Sequence, residues 1–172
     1  DLKEGNNQVI LGDTTGAVQL TKNVKVKTGA GDDLFEMYRV LVTGTCTINT
    51  GAGGDAIRFE YGSTFTGFVM VDSGAGDDLL QAGFQTGAPS TTNFNGGLIA
   101  KLGDGNDELL LGLDPGAGGD ANSLANFGAA SIIDGGTGLN LFDGLTLLWV
   151  PYQPPSAYAG PLTLLNWTDP LP

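Results

Sequence analysis

A short motif, Gly-x-Gly-x-Asp followed by an apolar residue, recurs along this chain and constrains its fold more than any other feature. The clear copies are residues 28–35, 50–57, 73–80, 102–109 and 135–142, and a fainter copy opens the chain at 5–9. Equivalent positions lie 22 to 33 residues apart, the length of one coil in a solenoid whose corners accept insertions. No segment has convincing helical periodicity, so we expect stacked coils of β-structure.

When the copies are aligned, the residues around them fall into columns. After the motif, one apolar column contains Val9, Phe35, Ile57, Leu80, Leu109 and Phe142, and the next position outward contains Glu36, Arg58 and Gln81. Before the motif, apolar columns contain Val24, Cys46, Val69 and Leu98, and Val26, Ile48, Val71 and Ala100. A further column contains Leu20, Val42, Phe65, Phe94 and Phe127. This alternation predicts strands with one buried face. We predict an all-β fold, a parallel β-helix (β-solenoid) of about six coils with two or three strands each, right-handed.

The pattern divides the chain into two parts. Residues 1–144 carry the coils, and residues 145–172 form an apolar C-terminal segment with both tryptophans. Because the end of a solenoid exposes sheet edges, we expect this segment to cap the last coil; the alternative is that it docks on another subunit. Insertions at 82–90 and 112–120 lengthen two coils at the same corner, either as a binding face or as neutral loop variation.

Composition excludes several classes of function. The formal net charge is -12, with 7 basic and 19 acidic residues, so nucleic acid and anionic membrane surfaces are disfavoured partners and cations are favoured ones. Histidine is absent, which removes the commonest general base and zinc ligand. The one cysteine, Cys46, falls in a buried column and is predicted to be inert. No apolar run is long enough to span a membrane, and we expect no membrane insertion.

The motif has the chemistry of a site for a hard cation. Its glycines permit positive φ and close approach of the backbone, and its Asp adds a carboxylate to the carbonyl oxygens that Ca²⁺ prefers. The candidate calcium-binding residues are Gly29, Gly31, Asp33, Gly51, Gly53, Asp55, Gly74, Gly76, Asp78, Gly103, Gly105, Asp107 and Asn140. The alternative is that each Asp or Asn accepts a hydrogen bond from its own turn and binds no ion.

These motif segments resemble the Gly-Gly-x-Gly-x-Asp nonapeptides of the RTX repeats of secreted bacterial toxins, proteases and adhesins. The resemblance implies Ca²⁺ held between stacked turns, and an extracellular or cell-surface location. It covers about forty residues in five copies. The chain departs from the pattern in two ways: the first glycine is replaced by Thr28, Thr50, Ser73 and Leu102, and the motif occurs once per coil instead of every nine residues. The resemblance therefore implies a single edge of calcium sites on a wider β-helix.

The leading hypothesis is an extracellular, calcium-stabilised structural or surface protein that assembles end to end into filaments. The alternatives are an adhesin or carbohydrate-binding module of a larger cell-surface protein, or a β-helix enzyme acting on polysaccharide. Catalysis is not expected, because Arg39 and Arg58 are the only arginines and Arg58 falls beside Glu36, where an ion pair is predicted. Tyr38 and Tyr61, with Phe84 in an insertion, are the residues that would stack on a surface glycan; the alternative is that they are packing residues.

Overall fold

The computed structural model describes residues 1–83, 91–112, 124–143 and 162–167. This part of the chain contains strands and turns and no α-helix, so it has no helix that could cross a membrane. All of its strand pairs are parallel. The prediction of an all-β parallel solenoid is confirmed.

Seventeen strands form three sheets. Sheet A consists of β1 (Gln8–Gly12), β4 (Leu34–Tyr38), β7 (Ala56–Glu60), β10 (Leu79–Ala82), β13 (Glu108–Leu111) and β16 (Leu141–Asp143). Sheet B consists of β2 (Val18–Leu20), β5 (Val40–Val42), β8 (Thr64–Phe65), β11 (Thr91–Phe94) and β14 (Leu124–Phe127). Sheet C consists of β3 (Val24–Lys27), β6 (Cys46–Ala52), β9 (Val69–Ala75), β12 (Leu98–Lys101), β15 (Ser131–Asp134) and β17 (Leu162–Leu165).

Each coil passes through sheets A, B and C in that order, so a strand pairs with its equivalent one coil away. The described residues complete five such turns, and β16 and β17 belong to a sixth. The expected number of about six coils is therefore slightly high, because no strand of sheet B follows β16 within the described residues. Three strands per coil are present, and the column that begins at Leu20 belongs to the strands of sheet B.

The core lies between the three sheets and is built from the predicted apolar columns. The pairing register joins Val9, Phe35 and Ile57 in one column. From the second coil to the fifth the inward side chains are essentially inaccessible, as with Ile57 and Phe59 at 0% exposure, whereas Phe142, Leu162 and Leu164 of the last coil are partly buried. Because chain segments with the same pattern lie one above another, the apolar side chains of one coil contact those of the next along the stack.

The aromatic column of sheet B is the clearest example of this packing. Phe65 and Phe94 stack with ring centroids 5.3 Å apart and an interplanar angle of 7°. Phe94 and Phe127 repeat the arrangement at 5.4 Å and 12°. Phe59 of sheet A meets Phe65 and Phe94 edge-on. Offset stacks and edge contacts are the favourable geometries for aromatic pairs, so this cluster stabilises the register of the middle coils.

Parts of three sequence predictions lie outside the described residues. The insertions after Ala82 and Gly112 both connect a strand of sheet A to one of sheet B, but residues 84–90 and 113–123 are not described. The division at 144/145 stays a prediction because 144–161 are not described. Within the C-terminal segment, β17 extends sheet C beside β15, and Trp167 Nε1 donates to Ile133 O at 3.1 Å.

Candidate metal site: the aspartate column

Each copy of the motif forms the corner at which the chain passes from sheet C to sheet A. The corners stack directly, and parallel bridges join Ala30 to Ala52 and Ala75 to Asp104. The second motif glycine has positive φ at every coil, for example 128° at Gly53 and 134° at Gly76. The predicted site residues of successive coils are therefore brought to one edge of the solenoid.

The first motif glycine is required by close stacking. At Gly103, where φ is 103°, an added Cβ would overlap the carbonyl oxygen of Gly74 in the preceding coil. That oxygen accepts a hydrogen bond from Asp104 N at 3.0 Å. Gly103 O in turn accepts a bond from Thr137 N at 2.8 Å. These glycine carbonyls hold neighbouring coils together.

The motif aspartates form a continuous hydrogen-bonded column inside the corner. The aspartate column consists of Asn7, Asp33, Asp55, Asp78, Asp107 and Asn140. At each step the backbone N–H of one member donates to the side-chain Oδ1 of the next member along the stack, over 2.7 to 3.0 Å. Each Oδ1 thus accepts a hydrogen bond from a backbone N–H of the preceding coil. Without this bond, the N–H would be buried in the corner and left unpaired.

A second ladder runs in the opposite sense on the exposed side of the same corner. Asp32 Oδ1 accepts from Gly54 N at 2.9 Å, and Asp77 Oδ1 accepts from Asn106 N at 2.8 Å. Here the acceptor belongs to the earlier coil and the donor to the later one. From the sequence, the motif Asp and Asn side chains are expected to accept a hydrogen bond from their own turn or to bind an ion. Neither hydrogen-bonded ladder was predicted.

The second oxygen of each carboxylate in the aspartate column is buried and has no hydrogen-bond partner. This is true of Asp33, Asp55, Asp78 and Asp107 Oδ2, and the four residues are 1–3% exposed. A buried carboxylate with a free oxygen costs free energy unless it is protonated or binds a cation. The four Oδ2 atoms are therefore the buried polar atoms of the corner that lack a partner.

The hydroxyl groups beside the column do not complete it. Thr28 Oγ1 donates to Thr50 O at 2.6 Å, Thr50 Oγ1 donates to Ser73 O at 3.2 Å, and Ser73 Oγ donates to Leu102 O at 3.0 Å. A hydroxyl has only one proton to donate, so these protons are used between coils. The hydroxyls also explain why Thr or Ser stands where the RTX pattern has the first of its two adjacent glycines, since each hydroxyl links its coil to the next.

The environment favours the uncharged carboxyl at three members of the column, Asp55, Asp78 and Asp107. Burial raises the pKa of Asp78 to about 7, and the hydrogen bond from Asp55 N opposes that rise only in part. Burial also raises the pKa of Asp55 and of Asp107, although the backbone N–H that each accepts lowers it. At neutral pH the Asp78 carboxyl is therefore poised between protonation and binding of a counter-charge.

The donor set fits a hard cation in kind, since it offers carboxylate and hydroxyl oxygens. It offers one free carboxylate oxygen per coil, so a cation here would bridge successive coils. In the described part of the chain, no three acidic or cysteine side chains gather closely enough to hold a metal ion by themselves. At the two ends of the column, Asn7 and Asn140 have side-chain amides in place of carboxylates. Asn7 Nδ2 donates to Gly5 O at 2.6 Å, and Asn140 Nδ2 donates to Asn166 O at 3.1 Å.

The other residues singled out in the sequence lie away from this corner. Arg58 Nη1 contacts Glu36 Oε1 at 3.0 Å, as predicted, but the Glu36 side chain is only 7% exposed, so the pair is less of a surface feature than expected. Tyr38 and Tyr61 meet edge to face at 5.3 Å on the same side of the molecule. Cys46 is fully buried, and burial raises the pKa of its thiol to about 12, which is consistent with an inert core residue.

No protein-family model, curated protein or solved structure matches this chain. The likeness to RTX repeats therefore remains a resemblance of the motif segments, and function has to be argued from the geometry above.

Proposed function

We propose that this chain is an extracellular or cell-surface structural protein, a calcium-stabilised β-solenoid that stacks end to end into filaments. The observation that supports this is the open first coil. Its inward side chains are only partly buried, namely Val9, Leu11, Val18, Leu20, Val24 and Val26. Their counterparts one coil later are at most 1% exposed. Because β1, β2 and β3 are also the outermost strands of their sheets, this end can accept another coil in register.

The charges along the stack favour a head-to-tail contact. Four of the seven basic residues precede residue 28, including Lys25 and Lys27 on the outer face of β3. No basic residue follows Lys101, whereas eight acidic residues do. Opposite charges at the two ends would steer copies into the same orientation. A heterologous contact of this kind generates a filament unless it closes into a ring.

We include calcium in the proposed function because the aspartate column offers it buried carboxylate oxygens that have no other partner. At neutral pH, a cation between successive Oδ2 atoms would offset the free-energy cost of burying the charged carboxylates and would reduce their mutual repulsion. Binding to the folded state alone would stabilise the stack. The residues that would hold the ion are Asp33, Asp55, Asp78 and Asp107, with the adjacent hydroxyls.

The end-to-end contact can be tested by sedimentation velocity over a range of protein concentrations in millimolar calcium. We expect a wild-type series that grows beyond two copies as concentration rises. Lys25→Glu/Lys27→Glu reverses the charge of the first coil, and we expect it to abolish the growth. Lys101→Glu makes a similar charge change in the fourth coil and should retain it. Failure of wild type to grow beyond two copies at any concentration would rule the filament out.

A second candidate function is glycan binding at the outer face of sheet A. Glu60 is 6% exposed, and burial raises its pKa to about 7 despite the nearby Arg58. Tyr38 lies opposite Glu60 in the register, next to Tyr61. Carboxyl, guanidinium and aromatic groups together are what saccharide sites use. Glycan binding that Tyr61→Ala abolishes would favour this candidate.

A further inference from the structure

We propose that the outer face of sheet C is a self-association surface that pairs with the same face of a second copy. The two copies would be related by a two-fold axis parallel to the strands, between the third and fourth coils. This surface is separate from the two ends of the solenoid. The proposal does not depend on filament formation.

The outer face of sheet C carries two columns of side chains. The first column contains Lys25, Thr47, Met70, Ile99, Ile132 and Thr163. The second contains Lys27, Asn49, Asp72, Lys101, Asp134 and Leu165. The middle of the first column is thus apolar over three coils, and the middle of the second alternates in charge.

Exposed apolar side chains in the body of the solenoid concentrate on this face. Seven large apolar residues are exposed in the described part of the chain. Three of them, Met70 at 43%, Ile132 at 39% and Leu165 at 43%, are on the outer face of sheet C. Leu165 and the other four belong to the first and last coils, so Met70 and Ile132 are the two exposed large apolar residues that the described residues place in coils two to five. Apolar groups clustered on one flat face are typical of a contact surface.

The charges beside this apolar column are available to a partner. Asp72 and Lys101 are register neighbours and both are exposed. Within the described residues the one ion pair is that of Arg58 with Glu36, so Asp72 and Lys101 do not pair with each other. Asp72 accepts only a long bond, 3.3 Å, from Asn49 Nδ2.

The sequence of charges selects one arrangement of the two copies. A two-fold axis parallel to the strands keeps each column opposite itself and reverses the order of coils. With the axis between coils three and four, Asp72 faces the partner's Lys101, and Met70 faces the partner's Ile99, each contact occurring twice. Moving the axis onto coil three or coil four opposes like charges at its centre. An axis along the solenoid would set Met70 against a carboxylate and bury an unpaired charge.

The dimensions of the face indicate a weak dimer. Six strands of about four residues cover roughly 29 Å by 13 Å at the usual strand spacings. This is below the area that a stable protein–protein interface buries. We therefore expect association at protein concentrations of about 10 µM or above, as in the low-area class of interfaces.

A charge-swap series tests the arrangement by sedimentation equilibrium. Wild type should show a monomer–dimer equilibrium, with any end-to-end growth appearing as larger species. Asp72→Lys and Lys101→Asp each create like-charge contacts and should weaken dimerisation at least tenfold, while Asp72→Lys/Lys101→Asp should restore it. Both substituted positions are exposed, so the melting temperatures of the variants should agree closely with that of wild type and report that the variants fold.

If Asp72 and Lys101 only stabilised the fold of the single chain, the double variant would not recover dimerisation. Recovery of dimerisation by the double variant is therefore specific to the proposed contact. Single variants that dimerise like wild type, or a double variant that stays monomeric, would overturn the proposal. So would a folded wild type with no dimer at about 200 µM, well above the concentration of about 10 µM at which association is expected to begin. Loss of end-to-end growth alone would leave the dimer intact, which separates this test from that of the filament.

Discussion

Replacing Gly103 by Ala is expected to lower the melting temperature by about 10 °C, corresponding to roughly 3 kcal/mol in a chain of this size. Gly103 has φ 103°, where a side chain strains the backbone by about 1–3 kcal/mol. The new Cβ would also overlap Gly74 O. To relieve that overlap the two coils must separate, which weakens the bond from Asp104 N to Gly74 O.

Gly16→Ala is the matched control for this variant. Gly16 lies outside the left-handed region, and the nearest atom to an added Cβ is Asp13 Oδ1 at 3.7 Å. The melting temperature of Gly16→Ala should stay within about 2 °C of wild type, as for ordinary surface changes. Thermal unfolding followed by circular dichroism at 218 nm measures both. Equal melting temperatures for the two variants would contradict direct stacking of the motif corners.

Two substitutions of Asp78 should have opposite effects in chelator at pH 8. Asp78→Ala removes the acceptor of Asp55 N, and a buried N–H left unpaired costs about 1–3 kcal/mol. Asp78→Asn keeps an Oδ1 acceptor, as Asn140 does for Asp107 N, and removes a buried charge. We expect the melting temperature to fall by about 6 °C for Ala and to rise by about 3 °C for Asn, given the usual scaling for this chain length.

The gain from Asp78→Asn should depend on pH. The folded pKa of Asp78, about 7, exceeds its unfolded value near 4, so the folded state binds the proton more tightly. That contribution to stability is complete below about pH 4 and is lost as pH rises through 7. Wild type should therefore melt at a higher temperature at pH 5 than at pH 8 in chelator. Asp78→Asn should narrow this difference, and an unchanged pH dependence would contradict a protonated carboxyl at this position.

Calcium is expected to reduce the advantage in melting temperature that Asp78→Asn has over wild type at pH 8. If the ion binds Oδ2 atoms of the aspartate column, millimolar calcium should raise the melting temperature of wild type and raise that of Asp78→Asn less. Magnesium at the same concentration controls for ionic strength, because it prefers a smaller octahedral shell with bound water. Identical calcium shifts in the two proteins would exclude Asp78 as a ligand and leave the column as a hydrogen-bonded ladder.

The fold could be predicted from the sequence because side chains repeat in register. Phe65, Phe94 and Phe127 are apolar at one offset from the motif despite insertions of different length, and they do stack. The pair of Arg58 and Glu36 followed from the same alignment. Column membership needs only spacing and polarity, which the chain displays directly.

The chemistry of the corner could not be predicted in the same way. Asp55 N and Asp78 Oδ1 are separated by 23 residues, and their contact depends on how far one coil is displaced over the next. Spacing alone therefore could not distinguish a bond within a turn from a bond between turns. Thr50 and Ser73 are departures from the repeat pattern in the sequence, whereas in the folded chain their hydroxyls join coils.

Small-angle X-ray scattering over a concentration series measures whether the solenoid grows through its ends. The protein to use is Lys101→Asp, because this change removes the side-by-side contact proposed for sheet C. In millimolar calcium, we expect the maximum dimension to increase with concentration while the cross-sectional radius of gyration stays that of one solenoid. A maximum dimension that remains that of a single chain at every concentration would contradict growth through the ends.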